Sequence, residues 1–363
     1  MNASRFYLIF LVIILSIWTP IFVVNIIYDP GDIYLQDYLK NRYIDSYVKK
    51  LINSKVGLIQ YGNERRVKFR LSRELDKYDC VILGSSRIMG LGTKRCIPQS
   101  LCNFCSAAMN LGVSGNAFED ILIFSYNILE NSKPPKKIIF GIDPWTFKWN
   151  MDVRYKLYAN YIEMMKRKIG FNYPVTLESY ASQLISNVIN FEYFIESLKK
   201  AIKDDFQVIK VPNIEEAQEF DYDEGRLNAV TLSDGSHVDS SNDIKSFRTS
   251  ESYIANGDYK LTGASYDKEV LEIFKKLIDL YREKGFKVYI HLSPYHQTVF
   301  RSGNEKNYKY LLEVERVVIS ISKEKNIPVY GSFDPKKIGC LPDEFFDWMH
   351  PSLYCSGNPK NRT

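Results

Sequence analysis

The chain has 363 residues, 45% of them apolar and 25% charged, with a formal net charge of +5. That length carries one large domain, or a domain with a sizeable insertion, and the composition is ordinary for a globular protein. No lysine/arginine-dense tract occurs, so nothing points to nucleic acid as a partner.

Phe6 to Ile27 holds no charged residue. At about 1.5 Å per residue this run crosses a hydrocarbon core about 30 Å thick. Arg5 precedes it and Asp29 and Asp32 follow, a bias that places the amino terminus in the cytoplasm and the rest outside. A cleaved signal peptide would have a shorter apolar core and an Ala-x-Ala-like site, which Asn25-Ile26-Ile27-Tyr28-Asp29-Pro30 does not supply. Residues 1–28 therefore read as a cytoplasmic tip and uncleaved signal anchor. Residues 29–77, rich in Tyr, Lys, Arg and Asp, read as a juxtamembrane stalk with helical pieces.

Strands and helices then alternate. Asp79 to Gly84 is an apolar strand that ends in Ser85-Ser86-Arg87. The two serines either cap the following helix or present a nucleophile at the carboxyl end of the strand. Asn103 to Leu111 is a second apolar run, closed by the turn Asn110-Leu111-Gly112-Val113-Ser114-Gly115-Asn116. Ala117 to Leu129 has helical periodicity, and Ile138 to Ile142 is a third strand ending at Asp143-Pro144-Trp145.

From about residue 148 to 262 the alternation stops. Tyr155 to Lys168 and Leu177 to Ile202 look helical, and Glu215 to Tyr266 is polar and turn-rich around Asp234-Gly235-Ser236-His237. This segment reads as an insertion, either laid over the active face of the sheet or a surface excursion. Alternation resumes with a helix over Lys268 to Lys284, a strand over Phe286 to Leu292, a helix over Tyr310 to Lys325 and a strand over Pro328 to Gly331. The 78–363 domain is thus an α/β fold built on a parallel sheet.

Six cysteines lie at 80, 96, 102, 105, 340 and 355. Outside the cytoplasm disulfides are permitted, and Cys96–Cys102 and Cys340–Cys355 are candidate pairs among the 15 complete connectivities that six cysteines allow. Cys102-x-x-Cys105 has no second Cys or His pair at metal-site spacing, so no metal and no dissociable cofactor are expected.

Only four histidines are present, and His350 follows Asp347 by three residues near the carboxyl end. In a tight turn such a carboxylate holds the imidazole tautomer and stabilises its protonated form. The alternative is an incidental surface pair. His296, in Ser293-Pro294-Tyr295-His296 at a strand end, is either a substrate contact or a structural histidine.

The ordered set of Gly84-Ser85-Ser86, Asn110-x-Gly-x-x-Gly115, Gly141-x-Asp143 and Asp347-x-x-His350 resembles the SGNH/GDSL hydrolase superfamily. The resemblance covers about Asp79 to Ser352, insertion excepted. It implies a three-layer α/β/α, flavodoxin-like sheet with Ser86 as nucleophile, His350 as base and Asp347 as the group that orients it. The backbone N–H groups of Ser86 and Gly115 would hold the oxyanion. Ser85 stands where the family often has Asp. The family's third block usually supplies an oxyanion Asn, and here Gly141-Ile142-Asp143-Pro144 has none. Asp143 and Asn116 are then candidate substrate contacts.

Together with the anchor, these motifs resemble a narrower membrane-bound group. It includes D-alanyl-lipoteichoic acid transfer proteins and the partner proteins of polysaccharide O-acetyltransferases. That implies an extracytoplasmic domain acting on an acylated glycan or acyl donor, with a multi-pass membrane acyltransferase as a possible partner. A catalytically silent glycan-binding or assembly subunit with the same fold is the other reading.

Overall fold

Cys80–Leu83 has no polar side chain to keep in water, and it forms a fully buried strand. In this computed structural model, residues 3–31, 34–59, 64–95, 104–150, 155, 158–174, 177–208, 214–218, 228–240, 266–301 and 305–356 are described. The chain divides into two compact units. The first comprises Met1–Ser46, Met151–Asn160 and Asn172–Asn213, and the second Tyr47–Asn150, Tyr161–Phe171 and Ile214–Thr363.

The first unit is helical. Helix α1 (Ala3–Tyr28) includes the apolar stretch Tyr7–Tyr28, 22 residues that are long and apolar enough to cross a membrane. Helix α2 (Leu35–Asn53) begins in this unit. Leu177 to Ile202, expected as one helical stretch, is two helices, α6 (Leu177–Val188) and α7 (Phe191–Lys203). The break is at Asn190, whose side chain accepts the N–H groups of Glu192 (2.7 Å) and Tyr193 (3.1 Å) and so starts a new helix.

The second unit carries a five-stranded parallel sheet flanked by helices. Its strands are β2 (Cys80–Leu83), β3 (Ala108–Asn110), β4 (Lys137–Gly141), β7 (Lys287–Leu292) and β8 (Val329–Gly331), in the spatial order β3-β2-β4-β7-β8. Counted within the sheet, this is the flavodoxin-like 2-1-3-4-5 order. The strand order reverses between β2 and β4, so the topological switch point lies at the carboxyl end of β2. Register places Leu83 beside Phe140, Gly141 beside His291 and Leu292 beside Gly331.

Helix α4 (Phe118–Leu129) follows β3, α8 (Lys268–Glu283) precedes β7, and α9 (Glu305–Lys325) joins β7 to β8. Side-chain alternation sends Phe140 to one face, where it meets Phe274 (5.3 Å) and Tyr281 (5.7 Å) of α8. Ile82 and Ile139 go to the other, against Ile88, Leu91 and Leu353. Both faces are therefore covered, as an all-parallel sheet requires.

Two expectations change here. Residues 47–77, expected in the stalk, belong to this second unit. They supply β1 (Gly57–Ile59) and α3 (Glu64–Leu71). The polar part of the insertion supplies β5 (Val230–Leu232) and β6 (His237–Val238), which extend β1 into a small antiparallel sheet of order β1-β5-β6. Strands of two or three residues have too little pattern to be seen in a sequence, and Gly57 finds Leu232 across most of the insertion.

The disulfides are Cys340–Cys355, as expected, and Cys80–Cys105, which the spacing argument missed. The expected Cys96–Cys102 pair lies outside the described residues.

Candidate active site

Strand β2 stops at Gly84, where the chain passes so close to β4 that a Cβ would lie 2.9 Å from the Gly141 carbonyl oxygen. No other residue fits that approach. The Gly84 carbonyl accepts the Val113 N–H (2.9 Å), which ties the end of β2 to the turn after β3.

The two serines then separate in role. Ser85 is fully buried, and its hydroxyl accepts the Arg87 N–H (3.2 Å), capping the short turn Ser86–Ile88. Ser86 is partly exposed, and its Oγ lies 2.9 Å from His350 Nε2. His350 Nδ1 lies 2.7 Å from Asp347 Oδ2. A carboxylate can only accept, so Nδ1 carries the proton and Nε2 is left to accept from the serine. The other carboxylate oxygen of Asp347 accepts the N–H groups of Met349 (2.7 Å) and His350 (2.6 Å), folding the Asp-x-x-His segment into a tight turn.

Burial pushes the Asp347 carboxyl up, but the His350 hydrogen bond and charge and those two backbone donors outweigh it. They hold the group below the ordinary carboxylate range. Asp347 is therefore ionised at neutral pH.

The loop bearing this pair is fixed at several points. Phe346 N–H reaches the His350 carbonyl (2.9 Å), Trp348 stacks on Tyr295 with centroids 5.8 Å apart, and Cys340–Cys355 closes the base of the loop. Helices α10 (Pro335–Ile338) and α11 (Leu353–Ser356) flank it.

Arg87, which the sequence reading does not single out, joins the loops at the carboxyl ends of β2, β4 and β7 to the tail loop. Its guanidinium is buried and pairs with Asp143 Oδ1 after β4 at 2.8 Å. It donates to the Ser293 and Pro294 carbonyls after β7, the latter at 2.8 Å. Its Nε donates to the Met349 carbonyl at 2.9 Å, next to His350, and its guanidinium carbon sits 3.7 Å from the Tyr295 ring centroid. The available signal is an arginine just past one strand end, after Ser85-Ser86, with Asp143 at the end of another strand.

Asp143 is thus 3% exposed and engaged, its carboxylate on Arg87 and its N–H on Thr146 Oγ1 (2.9 Å). Expected as a substrate contact or a loop support, it supports the loop. His296 is also buried. Its Nδ1 lies 2.9 Å from Thr298 Oγ1 and its N–H reaches the Trp348 carbonyl (2.9 Å), so it braces the tail loop.

The turn after β3 sorts its donors. Asn110 is fully buried. Its Nδ2 donates to the Ile88 (2.8 Å) and Leu91 (2.7 Å) carbonyls, and its Oδ1 accepts the Gly112 N–H (2.7 Å). The Gly112 donor is thereby used up. Gly115, at φ 61°, is exposed, and its N–H has no hydrogen-bond partner among the described residues. Asn116 is 1% exposed, and neither its Oδ1 nor its Nδ2 has a partner among the described residues. An unpaired buried carboxamide costs about 1–3 kcal/mol, which marks it as a group held ready for something the fold does not itself provide.

Beneath this turn Lys68 donates to the Asn110 carbonyl (3.0 Å) and to the Gly235 carbonyl. Burial pushes its ammonium down to about 8, with Glu64 and Asp234 partly opposing. The Asp234-Gly235-Ser236-His237 turn is therefore built into this end of the unit. Asp234 also accepts the Thr93 (2.8 Å) and Lys94 (2.9 Å) N–H groups, and His237 N–H reaches the Met89 carbonyl (2.8 Å). Burial pushes the Asp239 carboxyl up, but the His237 hydrogen bond and the charges of His237, His350 and Arg95 together hold it low. An ionised carboxylate thus lies within the electrostatic field of His350.

No protein-family model matches this chain, and no curated protein matches it.

Proposed function

We propose that the second unit is a serine-dependent acyl-transfer or ester-hydrolysis domain. The observation that carries this reading is the relay Ser86 Oγ–His350 Nε2 at 2.9 Å and His350 Nδ1–Asp347 Oδ2 at 2.7 Å. It lies at the topological switch point of a flavodoxin-like sheet, the usual ligand position in such sheets. Nucleophile, base and orienting carboxylate have the mutual geometry that general-base activation of a hydroxyl needs. The resemblance of these motifs to SGNH/GDSL hydrolases is consistent with the same chemistry.

In this mechanism Ser86 Oγ attacks the ester carbonyl carbon while His350 Nε2 takes the hydroxyl proton. Asp347 stabilises the imidazolium. The oxyanion takes hydrogen bonds from the Ser86 and Gly115 N–H groups, and Asn116 supplies a third donor in place of the absent block-three Asn. Collapse expels the alcohol, which takes the proton from His350 and leaves an acyl-serine. Water or a second hydroxyl, deprotonated by His350, then releases the acyl group.

The substrate is an acylated cell-surface glycan or its acyl donor, and α1 holds the domain at the outer face of the membrane. Both described disulfides fit an oxidising compartment. A multi-pass acyltransferase is the partner this arrangement would serve. One observation favours a silent binding subunit instead: Asp143 is committed to Arg87 and offers no oxyanion donor.

A fluorophosphonate probe separates the two. Wild-type protein and Ser85→Ala should label, and Ser86→Ala should not. Absence of wild-type labelling, where a control esterase labels, would sink the enzymatic reading.

A further inference from the structure

We propose that the α6–α7 hairpin of the first unit is embedded in the interface of a lipid bilayer, beside α1. This rests on the reading that α1 spans the membrane.

Helix α7 has three distinct faces, as residues spaced about 100° apart allow. Tyr193, Ser197 and Ala201 form one, with Ser197 and Ala201 fully buried. Glu192, Glu196, Lys199 and Lys203 form a second, exposed and charged. Phe191, Ile195, Leu198 and Ile202 form the third, which is open at Phe191, Ile195 and Ile202 and half-buried at Leu198. Phe191 is 61% and Ile202 64% exposed. On α6, Ile185 is 65% exposed, and Ile189 follows in the connecting turn at 52%. An exposed surface split into one apolar and one charged stripe is what a helix lying in a membrane interface presents. A helix facing only water would not keep three large apolar residues in register on its open side.

The depth follows from how the hairpin grips α1. Asn25 Nδ2 donates to the Val188 carbonyl (2.9 Å) and the Asn190 carbonyl (3.3 Å), so the α6–α7 turn lies at the level of Asn25. Asp29 Oδ1 accepts the Tyr193 hydroxyl (2.6 Å), and the Asp29 carbonyl accepts Lys200 Nζ (2.8 Å). Ile21 and Asn25, four residues apart along one side of the helix, are buried, as is Asp29 just past its end. On the other side of the same turns Phe22 and Val23 remain 48% and 43% exposed.

A span of about 20 residues is needed to cross the hydrocarbon, so one that starts at Tyr7 runs to about Ile26. The hairpin turn therefore reaches into the level where α1 is still surrounded by lipid. Ile189 and Phe191 meet acyl chains there, while the charged stripe of α7 stays with headgroups and water.

The test uses the full chain reconstituted in vesicles of phosphatidylcholine and phosphatidylglycerol. Benzoylphenylalanine replaces one residue at a time: Val12 on α1, Ile195 or Ile202 on the apolar stripe, and Glu196 on the charged one. Photolysis should give lipid adducts at positions 12, 195 and 202, and about tenfold fewer at 196. Adducts at 12 with none at 195 or 202 would overturn the hairpin proposal and leave the span intact. So would crosslinks from 195 or 202 to a second copy of the chain in place of lipid. No adducts at any position, 12 included, would overturn the span and the hairpin together.

Discussion

The carboxyl end of the parallel sheet and the α6–α7 hairpin are built on opposite terms. At the sheet end, a dense set of polar side chains is buried and almost every one is paired: Ser85 with Arg87, Arg87 with Asp143, Asn110 with three carbonyls. On the hairpin, the polar contacts to α1 are few and large apolar side chains stand in the open. In both places the informative groups are those that folding leaves without a partner. At the sheet end these are polar, the Gly115 N–H and the Asn116 carboxamide, and they suit a small polar transition state. On the hairpin they are apolar and suit a lipid surface.

The contrast can be broken in steps. The largest effect is expected from His350→Ala, which removes the base. Hydrolysis of p-nitrophenyl acetate should fall about 10⁶-fold in kcat if the three groups act as a unit. Next is Arg87→Ala, which strands Asp143 in a buried setting. It should cost about 3–5 kcal/mol in urea unfolding. Asn116→Ala should lower kcat about 10²- to 10³-fold, the usual loss for one oxyanion donor, with little change in KM. Unchanged kcat would remove Asn116 from the mechanism.

Lys68 gives a pH signature. Below about pH 8 its ammonium is charged in the folded and unfolded chain alike. Between about 8 and the ordinary lysine value the folded chain has lost a proton that the unfolded chain keeps. Stability should therefore rise with pH across that window, by at most about 3 kcal/mol, and Lys68→Met should flatten the rise. The smallest effect belongs to the hairpin. Ile185→Ser and Ile202→Ser, measured in detergent, should leave thermal stability within about 0.5 kcal/mol, because the two side chains are 65% and 64% exposed.

Much of the sheet was legible from residue pattern. Strands such as Ile138 to Ile142 and helices such as Lys268 to Lys284 lie within a residue or two of their observed bounds, because burial on both faces leaves continuous apolar runs. Ser86, Asp347 and His350 were legible as residues. That they meet across 264 positions depends on the fold bringing the tail back over β2. Less was visible where the cause is non-local. Arg87 finds Asp143 56 residues away, Cys80 finds Cys105 across 25, and β1 pairs with β5 in stretches too short to show periodicity. Ser85 and Ser86 look alike in the sequence, and only their surroundings part them: one hydroxyl meets a backbone N–H, the other an imidazole.

The Cys340–Cys355 bond spans 15 positions and encloses both Asp347 and His350. A ring of that size contributes about 3 kcal/mol by restricting the unfolded chain. While the two thiols are reduced, the segment carrying Asp347 and His350 keeps its hydrogen bonds and the Trp348–Tyr295 stack but loses its covalent closure. If the Ser86–His350–Asp347 relay acts as proposed, its full alignment would depend on closure of this ring, and a chain kept reduced would be the less active form.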